Sequence, residues 1–147
     1  MKRKISLLVC VLTLVLGFAG CSNNKTVEYD EATLEQSCEA VFSIVSNEGI
    51  SADQITAMSE WNQGYLMAQF ESQTGVQMEA GNLATALNGW TASREECGDY
   101  IDHGDYTFGA SSTGVTVTAP ATFTEREADL EFTFDENLEL EAFTVNA

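Results

Sequence analysis

The densest run of side chains able to do chemistry is Asp99-Tyr100-Ile101-Asp102-His103-Gly104-Asp105, with three carboxylates and the chain's only histidine. A carboxylate beside an imidazole can move a proton near neutral pH or ligate a metal. A metal site draws on several ligands at set spacing, and no second histidine is present to supply one. The run reads instead as a polar connection between a helix and a sheet. Cys38 and Cys97 form a second candidate. As an extracytoplasmic pair they would close a disulfide; the alternative is two reduced thiols packed as small apolar groups. Neither belongs to a Cys-x-x-Cys motif, which argues against redox catalysis and a zinc knuckle.

A third candidate is acidic. Glu127, Asp129 and Glu131 share one parity of a strand-like stretch, and Glu139 and Glu141 follow beyond Asp135-Glu136-Asn137. If those three residues make a tight turn, residue 134 faces 138 and Glu131 falls opposite Glu141. Like charges placed so repel, and a divalent cation or a basic partner would screen them. The favoured reading is a solvated outer face, because Asp135-x-Asn137-x-Glu139 lacks the glycine a calcium loop needs next. Trp61, Tyr65, Phe70 and Trp90 would serve a ligand groove, but aromatics at helical spacing more often build a core. No phosphate loop, Gly-x-Ser-x-Gly or His-Glu-x-x-His sequence occurs. No cofactor and no metal are therefore expected, and an enzyme is the less favoured reading.

Two kinds of element must position these residues. Asp30 caps a helix to about Ser46, with Leu34, Cys38, Val41 and Val45 on one stripe. Ser51-Ala52-Asp53-Gln54 is a capping box flanked by Ile50 and Ile55 as a staple. The helix it opens is expected to run past Gly64 to Thr74, kinked at that glycine. A third helix spans about Gly81 to Gly98. From Tyr100 the period falls to two, with a strand at 105–110, another carrying Val115 and Val117, and Pro120 marking an edge or a bulge. Ala128, Leu130, Phe132 and Phe134 then alternate with acids. After the turn the apolar parity slips, which predicts a β-bulge at Glu141 to Phe143. Helices followed by strands give an α+β class, N-terminal helices packed on one face of an antiparallel meander of about four strands.

The chain has 147 residues and 6 Lys+Arg against 23 Asp+Glu. Lys2, Arg3 and Lys4 open it, ahead of an apolar stretch from Ile5 to Phe18, too short to span a bilayer and suited to an export signal. Beyond it three bases face all 23 acids, a net of −20. That excludes nucleic acid as a partner and basic docking on anionic lipid. With 44% hydrophobic residues and one proline, the remainder is a folded domain rather than an acidic tail.

Phe18-Ala19-Gly20-Cys21 resembles the lipobox of bacterial lipoproteins, with phenylalanine where leucine is usual. The resemblance implies a signal peptide over 1–20, acylation of Cys21, a tether over 21–29 and one acidic domain over 30–147. Two acyl chains would anchor Cys21 stably to the outer face of a membrane. Together with the helix end from Arg94 to Gly98 and the stretch Phe123 to Val145, the chain is similar to small lipoproteins of Gram-positive anaerobes. Their helix-then-meander domain resembles the nuclear transport factor 2-like and cystatin-like folds. Arg126 to Asn137 looks most like the closing hairpin of that family. The resemblance implies architecture and location, and no activity. The leading expectation is a cell-surface lipoprotein acting as a non-enzymatic binding or accessory module on a protein or small-molecule partner. The alternative is a small-molecule-binding or isomerase-like enzyme using a helix–sheet pocket; the resemblance to nuclear transport factor 2-like folds, some of which are isomerases, would place Tyr100, Asp102 and Tyr106 there, with Tyr100 and Asp102 nearest the chemistry.

Overall fold

The computed structural model describes residues 25–147, so the expected leader, Cys21 and the first part of the tether lie outside the described residues. Four helices come first: α1 (Glu31–Ser46), α2 (Ala52–Ala57), α3 (Glu60–Thr74) and α4 (Ala80–Cys97). Five strands follow: β1 (Tyr100–His103), β2 (Thr107–Ala110), β3 (Gly114–Phe123), β4 (Glu127–Asp135) and β5 (Leu140–Asn146). The class is α+β, as read from the change of period, with one strand more than expected.

The helix starts follow their capping chemistry. The Asp30 carboxylate accepts from the Thr33 amide at 2.9 Å, and the Ser51 hydroxyl and Gln54 side chain satisfy each other's backbone amides. The expected long second helix is two helices, and it breaks at Met58-Ser59 rather than at Gly64. Met58 is extended, with ψ 148°. Ser59 starts α3 by accepting from the Asn62 amide, and the Gln63 side chain donates to the carbonyl of Ile55. A second N-cap ends one helix and begins another, while Gly64 sits exposed inside α3 with open space beside its Cα.

The sheet order is β1-β3-β4-β5, all antiparallel, and β2 also pairs with β3. β3 is thus central, which corrects the expectation of an edge at Pro120. β2 pairs with 115–118 and β1 with 121–123, so the proline falls where the neighbouring strand is interrupted. Its carbonyl accepts from Gly104 at 2.7 Å. An amide at 120 would point to that same connection, and its loss leaves both ladders intact.

The β4–β5 hairpin closes through Glu136, Asn137 and Leu138. The Asp135 carboxylate accepts from the amides of Asn137 and Glu139, and Leu138 takes φ 60°. Thr133 pairs with Ala142 but Phe134 with Leu140. Glu141 is the extra residue of a bulge, where the slip of parity predicts it.

The inner sheet face and the helices enclose one core. Leu130, Phe132, Phe134, Leu140 and Phe143 from the sheet meet Leu34, Val41, Phe42, Leu87 and Trp90 from the helices, all buried. Tyr100 closes one end, with its ring 5.0 Å from Phe42 and 5.7 Å from Phe123.

Candidate functional site

β1 occupies much of the run expected as a loop. The register steps from Tyr100↔Phe123 to Asp102↔Thr122, so Ile101 bulges out. Simple alternation puts Tyr100 and Asp102 on one face; the bulge instead leaves Tyr100 and His103 inward and Asp102 outward. The two expected pocket residues are therefore on opposite faces of the sheet. Asp99 accepts from the Arg94 guanidinium at 2.7 Å, and the other arm of Arg94 holds Glu48.

His103 is committed at both nitrogens. Nε2 lies 2.8 Å from the Glu39 carboxylate on α1, and Nδ1 lies 2.8 Å from the carbonyl oxygen of Gly104. Its ring also meets Phe42 edge-on at 5.7 Å and Tyr106 at 5.1 Å. The residue straps α1 to β1. Glu39 was not singled out by sequence: it stands 64 positions from His103, and its only signal is its place beside Cys38 on α1.

Burial, and after it the Glu39 carboxylate, pushes the Tyr106 phenol far above its ordinary range. Burial also raises Tyr100, with Glu39 and Asp102 adding to it. Both phenols stay neutral through physiological pH. Packed against Phe42, Trp90 and Phe123, Tyr100 is a wall of the core.

Cys38 and Cys97 are both fully buried free thiols, the second of the two alternatives left open for the pair. Cys97 ends α4, where its carbonyl accepts from Glu125 in the β3–β4 turn. Cys38 sits mid-helix near the Tyr106 phenol, and a thiolate there would disfavour ionisation of that phenol. Burial, then Glu39 and Glu35, pushes the Cys38 thiol up from 9.0 to about 12. The unfolded chain releases this proton near pH 9 and the folded chain does not. Stability contributed by the neutral thiol is therefore complete below pH 9 and is lost as pH climbs toward 12. Chemical denaturation between pH 8.5 and 10 should show stability falling by up to about 1.4 kcal/mol per pH unit from this group. The fall should be shallower in Cys38→Ala, with the buried tyrosines supplying the remainder above pH 10.

The acids of β4 do point outward, but the pairing differs from the expected one. Glu131 faces Thr118 on one side and Thr144 on the other, not Glu141. The three-residue turn and the bulge together displace the register by three positions, separating Glu131 from Glu141. Asp129 lies between Pro120 and Asn146. Asp102, Thr122 and Glu127 form the neighbouring row. These residues border a shallow depression of about 550 Å³ on the outer face. Among the described residues, no three His, Cys, Asp or Glu side chains gather to hold a metal ion.

The aromatics divide. Phe70 and Trp90 are core, but Trp61 is 76% and Tyr65 58% exposed. Their rings stack on α3, 6.0 Å apart and 8° from parallel. One turn apart on the helix, they face solvent because α3 buries only Phe70 and Thr74. Helical spacing alone does not tell an outward stripe from an inward one.

A family model described as "Protein of unknown function (DUF3887)" matches residues 38–143, and the chain belongs to that family. Neither the curated proteins nor the solved structures yield a match.

Proposed function

We propose that this member of the DUF3887 family is a lipid-anchored, non-enzymatic binding module, held on the outer face of a membrane through Cys21 and acting through its exterior. The observation that carries the reading is the filled interlayer. Trp90, Leu130, Phe132, Phe134 and Phe143 are each at most 2% exposed, and Tyr100 is packed among three aromatic rings. A small-molecule site needs a concavity of some 300 Å³ or more with convergent polar groups. Here the inward imidazole of β1, that of His103, is taken up in the strap to Glu39. The alternative of an isomerase-like pocket loses its geometry with Asp102 on the outer face.

The anchor rests on the sequence alone: a basic start, an apolar stretch and a small-residue box before Cys21. The order of helices and sheet accords with the resemblance to nuclear transport factor 2-like and cystatin-like domains, which belongs to the same proposal. Expressed in a bacterial host, the full chain should partition into the detergent phase and take up labelled fatty acid. Cys21→Ala should abolish the label and release most of the domain to the aqueous phase. A label that survives the substitution would remove the anchor from the account.

A further inference from the structure

We propose that the exposed Trp61–Tyr65 stack and the groove beside it form the docking site, and that its occupant is a lysine- or arginine-bearing segment of another protein. This deepens the reading above and rests on it. An exposed tryptophan on tyrosine gives a broad π face, onto which ammonium and guanidinium groups dock. The two residues are also those that most often anchor protein interfaces.

Alongside the pair runs a groove of about 280 Å³, bordered by Gly64, Met67, Ala68, Glu71, Gln77 and Met78. Gly64, with open space beside its Cα, and the small side chain of Ala68 leave room there for an alkyl stem. Glu71 places a carboxylate at its end, and one oxygen of that group is held by the Gln77 amide at 3.0 Å. A long basic side chain fits this sequence of surfaces, with its stem on the groove and its head on carboxylate or ring.

Charge selects the occupant. The described residues carry 23 acids and only Lys25, Arg94 and Arg126 as bases. Both arginines are already paired, Arg94 with Glu48 and Asp99 and Arg126 with Glu96. An anionic partner is repelled, and so is a second copy of this chain, whereas a basic segment is steered toward it.

The described chain begins at Lys25, with the amide of Val27 bonded to Ser111, and Tyr29 and Asp30 lie across a cleft from Gly75 at the far end of α3. Fourteen residues of helix put Trp61 about 21 Å from that end. The platform thus lies about 21 Å along α3 from where the described chain enters the domain.

The test is anisotropy of a labelled Gly-Arg repeat peptide titrated with the full chain in non-ionic detergent. Saturable binding is expected. Trp61→Ala and Tyr65→Ala should each weaken it about tenfold, the ratio that about 1.4 kcal/mol produces. Glu71→Gln should weaken it about threefold, and Asp129→Asn on the outer sheet face by less than twofold. Trp61 is exposed enough that its truncation leaves the fold intact, which circular dichroism checks. Equal binding by wild type and Trp61→Ala overturns the inference, as does no binding of the peptide at all. Binding lost in Asp129→Asn but kept in Trp61→Ala moves the site to the sheet, leaving an outward-acting module standing while overturning this placement. A neutral glucan that competes at Trp61 where the peptide does not bind overturns the basic occupant alone.

Discussion

Phe132→Ala should lower the unfolding free energy by about 3–5 kcal/mol, a large share of the whole for a domain of this size. Phe132 is fully buried. It pairs between Val117 on β3 and Phe143 on β5, and its ring lies 4.9 Å from Phe143 and 6.1 Å from Tyr106. Truncation removes the transfer free energy of a phenyl group and leaves a void that a twisted sheet cannot close around. Denaturant titration followed by circular dichroism reads the loss. A cost near 1 kcal/mol would mean that the ring already borders open space, and the claim of a filled interlayer would fail with it.

Gly98→Ala is expected to cost about 2–4 kcal/mol, from backbone strain together with a lost hydrogen bond. Gly98 ends α4 at φ 84° and ψ −160°, a region that only glycine occupies readily. A Cβ built there would sit 2.1 Å from the Thr124 hydroxyl oxygen. That hydroxyl accepts from the Asp99 amide at 2.9 Å, and the Asp99 carbonyl accepts from the Thr124 amide at 2.9 Å. A methyl group would therefore break the joint between α4 and the β3–β4 turn. It would also displace Asp99 from Arg94, loosening the tie to Glu48. The same titration checks it, and a variant as stable as wild type would show that this joint is not rigid.

Much of this architecture is legible in local chemistry. Asp30, the Ser51–Gln54 box and the slip of parity at Glu141 each declare themselves within a few residues, because caps and bulges answer to short-range hydrogen bonds. Other features depend on partners far along the chain. β1 is disguised because the Ile101 bulge breaks its alternation, so a strand reads as a polar loop. The break before α3 is set by Ser59, whose hydroxyl accepts from the Asn62 amide, but Gly64 is the louder signal and draws the boundary to the wrong place. The strap from Glu39 to His103 crosses from the first helix to the first strand and leaves no spacing to recognise. The outward turn of Trp61 and Tyr65 is set by which side of α3 meets α1 and α4. An isolated helical stripe does not carry that information.

The claim that this protein acts through its exterior depends most on there being no room between helices and sheet. Methyl NMR under xenon pressure measures that room directly, since apolar cavities take up xenon. The signals of Val117, Leu130 and Leu140, all at most 1% exposed, should shift no more than that of the exposed Ala68 methyl. Saturable shifts confined to Val117 and Leu130 would reveal an interior site and return the protein to the class of small-molecule binders.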